Sequence, residues 1–216
     1  GGYMKTCKLL REQVAAATGS KKAELVLKNA QIVNVFTQSV ETGDIAIEGG
    51  YIVGIGNYEG ITEKDLGGAY VCPGFLDGHI HIESSMTSPG EFERAVVPHG
   101  TIAVITDPHE IANVAGTAGI RFMMQSAKKL NLDVYFMLPS CVPATDLDES
   151  GAELLAADLE PFYIEEKVLG LAEVMNAYGV THGDKDCLEK LIQARSLRKA
   201  IDGHAPSLSG KELNAY

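Results

Sequence analysis

The chain has 216 residues, 45% of them hydrophobic, and a formal charge of −11 at pH 7. That size and apolar content suit one large globular domain or one and a half small ones and exclude disorder, and a negative chain without clustered Lys and Arg excludes a nucleic-acid surface. No apolar run reaches the roughly 20 residues of a membrane span, the N-terminus lacks the order of a signal peptide, and Cys7, Cys72, Cys141 and Cys187 are too scattered for a zinc ribbon or a disulfide framework. The expectation is a cytoplasmic protein with reduced thiols, a small-molecule ligand and no membrane or nucleic-acid partner.

In chain order, residues 1–20 hold a helix over 5–17 with Leu9, Leu10, Val14 and Ala17 on one side and Gly19 as its stop. Residues 21–70 then change to a period of two. Strands are predicted at 24–27, 31–36, 44–48 and 51–55, and Gly49-Gly50 between the last two is a hairpin signal. These make a small antiparallel β unit.

From residue 71 onward, apolar strand-like runs alternate with helical stretches at about thirty-residue intervals, the length of a βα unit. The strands are predicted at 71–76, 101–106, 132–138, 168–174 and 199–202. The helices between them begin with a capping box, Ser88 as N-cap, Pro89 at the first helical position and Glu91 three after the cap, closed by Gly100. Three more follow at 111–130, 152–159 and 185–197. Such units close into a (β/α)8 barrel or form an open doubly wound sheet, and ligand placement separates the two.

Polar candidates end four of these strands, as a barrel mouth requires. His79 and His81 sit at alternate positions, so that in a strand both imidazoles share a face and can hold one metal ion. The second strand ends in Thr106-Asp107-Pro108-His109-Glu110. Glu173 lies between Leu169-Gly170-Leu171-Ala172 and Val174-Met175, where a carboxylate is costly unless paired or metal-bound. His204 follows the fifth strand in Asp202-Gly203-His204-Ala205-Pro206. No glycine-rich dinucleotide fingerprint follows any strand. His109 and Glu110 read either as site residues or as a polar loop in which Asp107 caps the next helix with Pro108 at its first position. His99, at a helix end, and His182, in a loop, carry no assigned role.

Pro73-Gly74-Phe75-Leu76-Asp77-Gly78-His79-Ile80-His81, with Glu173 and His204, resembles the amidohydrolase superfamily. The stretches His81-Ile82-Glu83-Ser84-Ser85-Met86, Thr106 to Val114 and Asp202 to Pro206 resemble, within it, the bacterial adenine deaminase family. The resemblance implies an α/β fold, a (β/α)8 TIM-like barrel of which residues 71–216 supply about five strands, with the β unit as part of a small sandwich. It implies hydrolytic deamination of adenine to hypoxanthine and ammonia in purine salvage. The implied cofactor is a binuclear divalent centre of Mn, Fe or Zn: His79 and His81 on the first ion, Glu173 bridging, and His204 on the second.

Hydroxide at such a centre would attack C6 of adenine, since a divalent ion lowers the pKa of water from about 16 to about 7. His109 would add a ligand or a substrate hydrogen bond, and Glu110 would orient His109 or contact a ring nitrogen. The later histidine and aspartate of the superfamily pattern do not occur here, so an N-terminal portion of a longer, homo-oligomeric enzyme, inactive alone, is expected. A cyclic-amide or N-acetyl-sugar hydrolase and a non-catalytic assembly fragment are the rival readings.

Overall fold

The computed structural model describes residues 2–145 and 147–216, with side chains from residue 6 onward. Two compact units divide the chain after Pro73. In the first, helix α1 (Gly2–Ala17) starts earlier than its apolar pattern predicts and ends at Gly19, whose φ of +73° is open to glycine without steric cost. A mostly antiparallel five-stranded sheet follows, in which the second strand lies between the first and the third, and the fourth and fifth both flank the first.

Strand β1 (Ala23–Asn34) runs unbroken through the two predicted segments. The irregularity between Leu27 and Ala30 is absorbed by Asn29, which adopts φ +56° and donates its amide to Asp44 Oδ1. Strands β2 (Ser39–Glu48) and β3 (Tyr51–Gly56) form the expected hairpin, its two glycines at φ +59° and +80° as a type I′ turn requires. Strands β4 (Gly60–Asp65) and β5 (Tyr70–Val71) run parallel to β1, so the unit is not purely antiparallel. The polar run Thr62-Glu63-Lys64-Asp65 hid β4, because its side chains are exposed and carry no apolar alternation.

The second unit is a parallel five-stranded sheet in sequential order, β6 (Phe75–Ile80), β7 (Thr101–Thr106), β8 (Asp133–Leu138), β9 (Val168–Val174) and β10 (Ala200–Gly203). An order that never reverses has no switch point, which rules out the doubly wound alternative and leaves a part-barrel. The first strand lies later than the predicted 71–76: Tyr70 and Val71 pair with β1, the chain turns at Pro73-Gly74, and pairing with β7 starts only at Phe75. Strands β7 and β9 keep their predicted limits.

Helices cover the sheet. In α2 (Pro89–Val96), Ser88 occupies the N-cap position but makes no side-chain cap bond, and Glu91 pairs with Arg94, so the predicted capping box does not form. Helix α3 (His109–Ala127) kinks at Gly116, φ +58° and ψ −142°. Only α4 (Ala156–Leu159) remains of the predicted helix 152–159, since Leu155 is extended. Asn176, through its Oδ1, caps a short helix α5 (Ala177–His182) that was read as loop; α6 (Lys185–Ser196), capped by Asp184, and α7 (Gly210–Ala215) complete the unit. The core joins Val104, Leu138 and Leu171 of the sheet with Ile120 and Met123 of α3 and Leu159 of α4.

Candidate metal centre

Five candidate residues meet at the C-terminal ends of β6, β7, β9 and β10. His79 and His81 leave β6 on the same side, and their Nε2 atoms lie 3.2 Å apart. The second nitrogen of each ring is spoken for: His79 Nδ1 donates to Asp202 Oδ2 at 3.1 Å, and His81 Nδ1 donates to the Asp107 carbonyl at 2.9 Å. A carbonyl can only accept, which fixes the proton of His81 on Nδ1 and leaves Nε2 a lone pair; an ionised Asp202 does the same for His79. Two lone pairs facing each other at that distance repel unless a cation or a proton lies between them.

Glu173 stands opposite. It is 6% exposed at the end of the buried strand β9, with Oε1 3.2 Å from His81 Nε2 and 3.7 Å from His79 Nε2. Its Oε2 accepts from His204 Nδ1 at 2.6 Å. The strand end is fixed by Ser140, which donates to the Glu173 carbonyl, and by Tyr216, whose hydroxyl donates to the Val174 carbonyl and accepts from the His204 amide.

Asp107 follows β7 and is 2% exposed. It does not act as a helix cap, one of the two readings open for this stretch: Pro108 is the N-cap residue of α3, without a side-chain cap bond, and Asp107 Oδ2 instead accepts from His109 Nδ1 at 3.0 Å. Asp107 Oδ1 is buried with no hydrogen-bond partner among the described residues. The His109 ring packs edge-on against that of His81, centroids 4.6 Å apart. One ligand atom from each of His81, Asp107, His109 and Glu173 lies within 4.8 Å of the other three.

Residues 70–216 match the amidohydrolase family. The chain belongs to that family. Over 96% of its length it is 54% identical to an adenine deaminase of Bacillus pumilus and 55% identical to one of Clostridium acetobutylicum. It spans 36% of the length of each of those relatives. Among solved structures it is similar to a dihydroorotase, with a TM-score of 0.55 and 18% identity over 90% of this chain and 55% of that one. It is also similar to an N-isopropylammelide isopropylaminohydrolase from Burkholderia multivorans, with a TM-score of 0.57 and 16% identity over 88% and 55%. Those likenesses concern the fold, the barrel type of the amidohydrolases.

The divalent ion that the amidohydrolase family implies fits this donor set. Imidazole with carboxylate suits Zn, Fe and Mn, the Nδ1 bonds to Asp202 and to the Asp107 carbonyl are the outer contacts a ligating histidine needs, and the paired lone pairs and the orphan Asp107 oxygen both call for a cation. Burial pushes the Asp107 carboxyl upward against the pull of His109. Burial works the other way on His109, but its hydrogen bond to Asp107 and the nearby carboxylates outweigh it, so the imidazole ends above its ordinary value.

Glu110 stands apart from this cluster, its Oε1 accepting from Ser84 Oγ. Its neighbour Glu83, which sequence reasoning passed over, accepts the Ile111 amide and keeps Oε2 buried with no hydrogen-bond partner among the described residues; burial raises its carboxyl, helped by Glu110 and Asp107. Asp202, Ser140 and Tyr216 were missed as well, and only the adjacency of Asp202 to His204 in the sequence could have signalled any of them.

Proposed function

We propose that this chain forms part of the metal centre of an enzyme that hydrolyses adenine to hypoxanthine and ammonia. The observation that carries the reading is the identity of about half of all residues with adenine deaminases over 96% of the chain, together with the histidines, aspartate and glutamate that this chain brings together at its strand ends. A binuclear centre of Mn or Fe is the form we favour, held by His79, His81, Glu173 and His204. Four free cysteines agree with a reducing cytoplasm.

A divalent ion at these residues would lower the pKa of water to about 7 and so make a nucleophile at neutral pH. The chain's own part is positional. Asp202 and the Asp107 carbonyl hold the β6 histidines in one tautomer, and Glu173, its strand end braced by Ser140 and its side chain held by His204, presents Oε1 toward both. In the reaction water oxygen bonds to C6, the C6 to amine bond breaks, and the two water protons end on the departing ammonia and a ring nitrogen. His109 serves the centre beside His81, and Glu110, held by Ser84, faces the substrate as a hydrogen-bond acceptor.

The test joins these 216 residues to the part of the Bacillus pumilus enzyme outside the matched stretch and measures ammonia release with Mn(II). Release from adenine and none from adenosine is expected, with Glu173→Gln lowering the rate at least about 100-fold. A folded chimera that turns over N-acetylglucosamine 6-phosphate and leaves adenine untouched would overturn the purine assignment.

A further inference from the structure

The geometry points to Asp107 and His109 as metal ligands in their own right, forming with His81 and Glu173 a four-donor cation position beside the one built on His79 and His204. This rests on the metal-centre reading above and not on adenine as substrate.

Three observations carry it. Donors around one ion at about 2.0–2.2 Å lie at most about 4.4 Å apart, so a set already within 4.8 Å closes on an ion through small side-chain movements. Asp107 is 2% exposed and its Oδ1 has no hydrogen-bond partner among the described residues, a loss that burial makes costly unless a cation or donor meets it. Asp107 Oδ2, by accepting from His109 Nδ1, sets the proton of that ring and leaves His109 Nε2 as a lone pair, which is the outer bond expected of a ligating imidazole. One residue thus supplies a donor and orients the next.

The position combines two nitrogens and two carboxylates, a set that suits Mn(II), Fe(II) or Zn(II) over Mg(II). Its four ligands come from the ends of β6, β7 and β9, all within the 216 residues. The bonds of His79 to Asp202 and of His204 to Glu173 Oε2 tie the other position to β10 instead.

Mn(II) titration of the 216-residue chain tests this without any substrate, with Co(II) absorption as a second readout because visible bands report the donor set. Saturable binding is expected that Asp107→Asn and His109→Ala each weaken at least about 100-fold and that His182→Ala, whose ring contacts only Tyr178 and Thr181 among the described residues, changes less than about threefold. Far-ultraviolet circular dichroism shows whether each variant is folded, and His109→Ala, at the less deeply buried of the two side chains, decides the matter if Asp107→Asn is not. Binding that survives His109→Ala and falls in His204→Ala would overturn the assignment, as would a folded chain that binds no Mn(II). Failure of the chimera on adenine with Asp107-dependent Mn(II) binding intact would sink the deaminase reading alone.

Discussion

Glu173 shows how much one side chain can announce. A carboxylate inside an apolar strand has to find a partner, and here it finds His81, His79 and His204. The alternate spacing of His79 and His81 was equally plain, since a period of two puts both on one face. For the Asp107 stretch the sequence left two readings open, because an acidic residue before Pro at a helix start usually caps; the cap geometry is absent and the side chain turns toward His109. Tyr216 carried no local signal, yet its hydroxyl bridges the Val174 carbonyl and the His204 amide. Tyr216→Phe should therefore destabilise the second unit by about 1–2 kcal/mol, read from urea unfolding, because it leaves two backbone groups without a partner. An unchanged midpoint would mean that water replaces the hydroxyl.

Among the elements, strands with apolar content were the most legible, and β7 and β9 stand where periodicity puts them. Short helices were not: α5 has six residues, one of them a glycine, and its start depends on Asn176 accepting the Gly179 amide. Close strand approach is also invisible in a single chain. A Cβ on Gly170 would fall 2.1 Å from the Ala200 carbonyl oxygen, so only glycine lets β10 pair with β9 there. Gly170→Ala is expected to push β10 outward, carrying His204 from Glu173. Hydrogen exchange of the β9–β10 amides, faster in the variant with β7–β8 unaffected, is the expected result; equal protection would show that the ladder tolerates a methyl.

At the scale of the whole molecule the chain forms two compact units, the first with two small buried clusters, around Val26 and Ala46 and around Ala30, Ile32 and Ile45, and the second with a core around the parallel sheet. In the first, Asp44 of β2 ties β1 to the loop after β3 by accepting from Lys28, the Asn29 amide and the Tyr58 amide. Burial alone would raise its carboxyl, but these partners hold it below the ordinary carboxylate value. A depressed value means that the stabilisation is complete above the usual range, at about pH 4, and is lost as the pH falls through the native value. Asp44→Asn should cost about 1–3 kcal/mol at neutral pH, shrinking toward zero in acid. Urea midpoints across pH would record this, and a constant difference would exclude the linkage.

The sequence by itself determined what depends on neighbours along the chain: the Gly49-Gly50 hairpin, the succession of βα units, and the residue types able to hold a metal at His79, His81, Glu173 and His204. Those properties come from periodicity, turn chemistry and the cost of burying charge, all of which act over a few residues. The tertiary structure alone decided that β4 and β5 join β1 in parallel, that the sheet order never reverses, and that Asp107 faces His109 and Asp202 faces His79. These depend on which strand ends meet in space, His79 and Asp202 being 123 residues apart in the chain, and no local pattern encodes a contact of that range.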